Sequence, residues 1–151
     1  MARTILHGFL AGFLAVLAFH QGMVWLLHAA GLLPAGPFSL APVPPFGVPQ
    51  VLSSAFWGGV WGVALSLLLA ARPRWPALLT GLVLGVVGLN LVALTLVPAL
   101  KGLPVVPPDA GRLLSMVLIN GAWGWGAALL LLAAGARRRW PGAPAGATQR
   151  A

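Results

Sequence analysis

Long apolar stretches alternate with short polar, basic or proline-rich segments along nearly the whole chain. Each stretch reaches about 20 residues or more, which is the length that an α-helix needs to cross roughly 30 Å of hydrocarbon. None has an Asp, Glu, Lys or Arg in its interior. Because hydrocarbon offers no water to backbone groups, each stretch should be helical. The pattern predicts an all-α polytopic membrane protein with four transmembrane helices, at about residues 5–33, 51–71, 76–97 and 113–136.

Proline and glycine separate these stretches. The segment 32–50 contains six prolines, a density that forbids helix and favours an extended chain. We expect it to fold over the bundle, because Phe38 and Phe46 should prefer the membrane interface to bulk water. Pro98 is predicted to lie just after the third helix, at the start of the connection to the fourth. We expect residues 1–140 to form one transmembrane domain and residues 141–151 to form a disordered cytoplasmic tail.

Composition narrows the range of functions. Hydrophobic residues make up 60% of the 151 positions and charged residues 7%, so lipid must solvate most of the folded surface. The only acidic residue is Asp109, which excludes a pair of catalytic carboxylates within one chain. Cysteine is absent, which excludes disulfides, thiolate nucleophiles and Cys-ligated metal centres. We therefore expect no enzyme activity, no cofactor and no metal site.

The formal net charge of +8 does not indicate nucleic acid as a partner, because the basic residues lie at the ends of the apolar stretches. That placement is typical of membrane topology and of contact with lipid headgroups. Lys101 and Arg112 fall on one side of the membrane, and seven arginines fall on the other: Arg3, Arg72, Arg74, Arg137, Arg138, Arg139 and Arg150. The positive-inside rule then predicts that both termini are cytoplasmic. A cleaved signal peptide is disfavoured, because the first apolar run is long and the candidate cleavage site His28-Ala29-Ala30 has a bulky first residue.

Two motifs recur in the same order and indicate an internal repeat. The first and third stretches open with glycine pairs, Gly8 with Gly12 and Gly81 with Gly85. The second and fourth share Gly-x-Trp-Gly, at residues 59–62 and 121–124. A duplicated two-helix unit would have parallel topology and a pseudo-twofold axis along the membrane normal. The alternative is that the motifs recur by chance, because Gly, Leu and Trp are common in any membrane helix bundle.

Small residues at helical spacing predict close helix packing, because lipid gives apolar helices no solvent-driven reason to associate. We expect packing at Gly8, Gly12, Gly58, Gly62, Gly81, Gly85 and Gly126. These faces either join the four helices of one chain or form the interface of a homo-oligomer. Tryptophans beside such glycines usually fill the space that the glycines leave, and a buried indole N–H then needs an acceptor.

Four polar side chains fall at one depth of the predicted bundle, beyond its middle on the Lys101 side: His20, Gln21, Asn90 and Asn120. Buried in hydrocarbon, such groups should face inwards and form hydrogen bonds. At about 100° per residue, His20 and Asn90 each lie opposite the glycine face of their own helix. The four residues predict either a structural clamp between helices or a small polar chamber that binds a ligand or relays protons.

Three short stretches resemble small bacterial integral membrane proteins that carry no assigned activity: Phe19-His-Gln-Gly22, Pro44-Pro-Phe-Gly-Val-Pro49 and Phe56-Trp-Gly-Gly-Val-Trp-Gly62. The resemblance implies a component of the bacterial inner membrane. The leading hypothesis is a non-enzymatic structural or accessory component that acts through helix–helix packing, with the lipid bilayer and either a second copy or another membrane protein as partners. The alternative is a minimal transporter or channel with a polar site in the outer half of the bundle.

Overall fold

A computed structural model describes residues 1–72 and 74–135 of the chain, and these are mostly helical. Four helices are long and apolar enough to span a membrane: α1 (Ala2–Ala29), α2 (Gln50–Ala71), α3 (Ala77–Leu100) and α4 (Ala110–Ala133). The all-α fold class with four candidate spans is therefore confirmed. The predicted tail at 141–151 and the predicted end of the fourth stretch lie outside the described residues.

α1 ends at Ala29, four residues before the apolar stretch does. The cause is a glycine cap, because Gly31 takes a positive φ of 74° that L side chains rarely adopt. Its N–H donates to the His28 carbonyl at 2.9 Å, and the Leu32 N–H donates to the Leu27 carbonyl at 2.9 Å. This is the Schellman arrangement, which satisfies the last carbonyl groups of the helix.

α4 begins three residues earlier than the apolar pattern predicts, because Asp109 caps it. The Asp109 carboxylate accepts a hydrogen bond from the Arg112 N–H at 2.9 Å. α3, in contrast, continues through Pro98 to Leu100. A proline ring clashes with the carbonyl four residues earlier, and the wider π-helical turn at Val92–Leu96 lies where that clash would fall.

The proline-rich connection between α1 and α2 folds back on the start of α2. Two short strands, β1 (Pro42–Val43) and β2 (Val48–Pro49), pair antiparallel, with Val43 opposite Val48. The Gln50 N–H donates to the Ala41 carbonyl at 2.9 Å, and the Val51 N–H donates to the Ser39 carbonyl at 3.1 Å. The connection thus satisfies the first N–H groups of α2, which have no partner within the helix.

The helices form two hairpins. α1 packs along α2, α3 packs along α4, and the hairpins meet where α1 contacts α4. α2 and α3 approach each other closely only over the first turns of α3. Arg3, Arg72 and Arg74 lie at one end of the bundle, here the arginine end, and Lys101 and Arg112 lie at the other, the Lys101 end. Within each hairpin, the closest packing lies in the half nearer the arginine end.

Candidate functional site

The first hairpin is held by glycines that face each other without intervening side chains. A Cβ placed on Gly12 would meet the Gly58 carbonyl group and would lie 2.8 Å from the Gly62 Cα. A Cβ on Gly8 would lie 2.8 Å from the Gly62 carbonyl oxygen. Any larger residue at these positions would push the backbones apart. The four glycines predicted for this pair of helices therefore lie inside the protomer, in the contact between α1 and α2.

The second hairpin is built in a similar way. A Cβ on Gly81 would meet the Gly124 carbonyl and would lie 2.8 Å from the Ala128 Cβ. A Cβ on Gly85 would meet the Asn120 carbonyl. Gly124 also takes part in this contact, although it was not among the predicted packing residues. Its position in the repeated Gly-x-Trp-Gly motif could have identified it. Gly126 lies elsewhere, against the Phe19 ring, at the contact between the two hairpins.

Trp123 joins the hairpins. Its side chain is fully buried, and the indole Nε1–H donates to the Gly12 carbonyl at 2.9 Å. The same carbonyl accepts the Val16 N–H of its own helix. The glycine that allows α2 to approach α1 therefore also presents a backbone acceptor to α4. Trp123 was not among the predicted site residues, because a tryptophan between glycines indicates packing without indicating its partner.

Asn90 and Asn120 lie together between α3 and α4. The Asn120 Nδ2 donates to the Asn90 Oδ1 at 2.5 Å, and the Asn90 Nδ2 donates to the Val86 carbonyl at 2.9 Å. Asn90 is buried, with 4% of its surface exposed. Each amide thus finds a partner in the bundle, as a polar group in hydrocarbon requires.

The expectation that Asn90 lies opposite the glycine face of α3 is wrong. Gly85 and Asn90 both contact Asn120, so both face α4. In a regular helix, residues five apart differ by about 140° around the axis. The segment Leu84–Leu89 is π-helical, and its extra residue per turn removes roughly 100° of that difference. The local widening of the helix therefore brings the amide onto the packing face.

His20 and Gln21 form a second polar pair at the end of a π-helical segment, Val16–His20. The Gln21 Nε2 lies 3.4 Å from the His20 Nδ1. The Gln21 Oε1 accepts the Phe38 N–H at 2.7 Å, which ties α1 to the proline-rich connection. Phe38 has a φ of 57°, a conformation that is unfavourable for a bulky residue. Gln21 thus anchors a strained position of the connection.

The surface of the bundle has two open grooves between helices. The α1–α4 groove, about 700 Å³, is lined by apolar residues of α1, α3 and α4, with Phe19, Gly22 and Trp125 among them. The α2–α3 groove, about 460 Å³, is lined mainly by α3. Its one polar wall residue, Thr80, donates its hydroxyl to the Pro76 carbonyl at 2.9 Å. None of the four predicted polar site residues lines either groove.

The polar pairs remain separate. Within residues 1–72 and 74–135, no side-chain hydrogen bond joins the His20–Gln21 pair to the Asn90–Asn120 pair. The chain is an integral membrane protein with four helices that can span the bilayer. Comparison with protein-family models, with curated proteins and with solved structures gives no match. The short resembling stretches therefore identify no family, and functional proposals depend on the geometry of the chain itself.

Proposed function

We propose that this protein is a non-enzymatic component of a bacterial inner membrane, and that it acts through helix–helix contacts as a small structural or accessory subunit. One observation carries the proposal. Three of the four predicted polar side chains bind across the fold: Asn120 donates to Asn90, Asn90 also donates to a backbone carbonyl of its own helix, and Gln21 accepts from the proline-rich connection. Such bonds hold helices and a loop together, and they leave the membrane-facing surface almost wholly apolar.

A transporter or channel is less well supported. Its site would bring polar side chains together around a water-filled or ligand-filled space. Among the described residues, no side-chain hydrogen bond joins the Asn90–Asn120 pair to the His20–Gln21 pair, and the α1–α4 and α2–α3 grooves are both apolar. A structural clamp accounts for Asn90, Asn120 and Gln21, and His20 contacts Gln21.

The α1–α4 groove is the place where we expect the partner. Gly22 lies in its wall, and a Cβ at this position would meet no atom within 4 Å. Trp25 and Trp125, with 57% and 41% of their surfaces exposed, lie beside it. Small residues let transmembrane helices approach closely, and neighbouring indoles provide a large contact area. The occupant that fits this surface is an apolar transmembrane helix of another membrane protein.

Cross-linking in native membranes tests the proposal, because the chain has no cysteine of its own. Gly22→Cys places a thiol in the groove, and Leu10→Cys is the control on an exposed position of the same helix. Gly22→Cys should form one adduct of discrete mass that Leu10→Cys does not form. Equal adducts from both variants, or no adduct, would contradict the proposal. An adduct of twice the mass of the chain would identify a second copy and would contradict the heterologous partner.

We also infer that the hairpins descend from one duplicated two-helix unit. When Gly62 is aligned with Gly124 in the shared motif, Gly58 corresponds to Asn120 and Ser66 to Ala128. Gly8 approaches Gly62 and Ser66, and Gly81 approaches Gly124 and Ala128. Gly12 approaches Gly58 and Gly62, and Gly85 approaches Asn120 and Gly124. Equivalent contacts at equivalent positions support duplication more strongly than shared motifs do.

We propose that both termini, and the arginine end of the bundle, face the cytoplasm. The excess of arginine at that end supports this orientation. Labelling of intact cells with a membrane-impermeant maleimide tests it. Lys101→Cys should react from outside, and Arg74→Cys should react only after the cells are opened. The reverse pattern would contradict the orientation.

A further inference from the structure

The α2–α3 groove opens at the arginine end, beside the turn that joins the two helices. Trp75 and Pro76 line its mouth, and Gly88 lies at its inner end. From Pro76 to Gly88 the groove follows α3 for about 18 Å. That length is slightly more than half of the roughly 30 Å hydrocarbon thickness. The groove therefore has the depth of a single lipid leaflet.

Positive charge is concentrated at the mouth of this groove. The Arg72 guanidinium carbon lies 6.0 Å from the centre of the Trp75 ring, and Arg72 and Arg74 are both exposed. The N-terminal end of α3, which carries the positive end of the helix dipole, lies at the same place. Asp109, the only acidic residue of the chain, caps α4 at the opposite end of the bundle. The carboxylate of the chain is therefore far from the mouth, where two arginines outweigh the negative C-terminal end of the neighbouring α2 and attract an anionic group.

We propose that the α2–α3 groove is a binding site for an anionic phospholipid, with one acyl chain along α3 and the headgroup phosphate at Arg72 and Arg74. The apolar wall provides contact for the chain, and the arginines select the charge of the headgroup. A zwitterionic lipid has the same acyl chains, but its ammonium group would approach the same two arginines. The inference is independent of the proposed partner, which is assigned to the other groove.

Native mass spectrometry of the full chain in detergent tests the site, with dioleoyl phosphatidylglycerol and dioleoyl phosphatidylcholine as probes. The chain should retain one phosphatidylglycerol and bind phosphatidylcholine more weakly. Arg72→Gln combined with Arg74→Gln should weaken phosphatidylglycerol binding by about 30-fold. Lys101→Gln combined with Arg112→Gln removes the same charge from the other end and should leave binding unchanged. Equal retention of both lipids, or equal losses in the two double variants, would overturn the proposal.

A second pair of variants tests the position of the acyl chain. Val87 lines the groove and Leu91 does not, although both are similarly exposed, at 57% and 59%. Val87→Trp should fill the groove and abolish phosphatidylglycerol retention, whereas Leu91→Trp should retain the lipid. Retention by Val87→Trp at the wild-type level would place the lipid elsewhere and overturn the proposal. Wild-type dimers that Val87→Trp converts to monomers would identify a second copy as the occupant and would also overturn it.

Discussion

The two hairpins use the same glycine geometry but fill one position differently. In the first hairpin, Gly58 leaves a slot that other side chains occupy: a Cβ there would meet the Val16 side chain and would lie 3.1 Å from the Trp123 Nε1. In the second hairpin, the corresponding position along the shared motif is Asn120, whose amide donates to Asn90. Besides Val16 of its own α1, the first hairpin therefore takes up the Trp123 side chain of the second hairpin, whereas a hydrogen bond joins the two helices of the second hairpin.

This difference shows how membrane helices associate when the solvent does not drive them together. Close backbone approach gives both hairpins their van der Waals contact. The space beside Gly58 is filled by Val16 of the same hairpin and by Trp123 of α4, and the bond from Trp123 to the Gly12 carbonyl fixes the first hairpin against α4. In the second hairpin, the amide of Asn120 occupies the corresponding position. A buried amide needs a hydrogen-bond partner, and Asn90 provides it. The first arrangement joins the two halves of the bundle, and the second stabilises one half.

The largest loss of stability is expected from substitutions that prevent the close approach of the two helices in a hairpin. Gly12→Leu would place a side chain against the Gly58 carbonyl and the Gly62 Cα, so the first hairpin should not close. We expect the free energy of unfolding in mixed micelles to fall by about 3 kcal/mol. Gly85→Leu should have a comparable effect on the second hairpin. Gly22→Leu is the control, because a Cβ there meets no atom within 4 Å. Similar losses for Gly12→Leu and Gly22→Leu would contradict the close approach.

Substitution of Trp123, which packs against the first hairpin from α4, should have the next largest effect. Trp123→Phe removes the indole donor to the Gly12 carbonyl and part of a fully buried side chain. We expect a loss of about 1–2 kcal/mol in the free energy of unfolding. Trp61→Phe changes the equivalent residue of the other motif, which is only partly buried, and should cost clearly less. An equal or larger loss for Trp61→Phe would contradict the asymmetry between the hairpins.

The hydrogen bond of the second hairpin should contribute less. A double-mutant cycle with Asn90→Leu and Asn120→Leu isolates the interaction between the two amides. We expect a coupling free energy of about 0.6 kcal/mol and no more than roughly 1.7 kcal/mol, which is the range for such bonds within membranes. Additive losses in the two single variants, with no coupling, would show that the amides do not interact in the folded protein.

The smallest effect is expected where the hairpins differ by a hydroxyl group. Ser66 donates to the Val63 carbonyl at 2.8 Å, within its own helix, and Ala128 occupies the corresponding position of α4. Ser66→Ala makes the two positions alike. We expect the unfolding free energy to change by less than about 0.5 kcal/mol, because no buried partner loses its only bond. A loss as large as that of Trp123→Phe would show that the 3.2 Å approach of the Ser66 hydroxyl to the Thr4 carbonyl holds the hairpin.

The candidate site was partly predictable from the sequence. Polar residues at one depth were visible as interruptions of the apolar stretches, and the pairing of Asn90 with Asn120 agrees with the need of buried amides for partners. Which face Asn90 takes was not predictable, because a single π-helical segment shifts the register of every residue after it. The bond from Gln21 to the Phe38 N–H was not predictable either, since it depends on how the connection folds back.

The sequence by itself determined that this chain belongs in a bilayer and that it forms four helices able to span one. The reason is that the hydropathy and the length of each segment can be read directly from the sequence. In hydrocarbon, each segment must also form its own backbone hydrogen bonds, which requires a helix. Only the tertiary structure decided which glycines face each other, where Trp123 finds its acceptor and which sides of α2 and α3 remain open. Those features depend on helical register and on contacts between residues far apart in sequence, which local polarity does not encode.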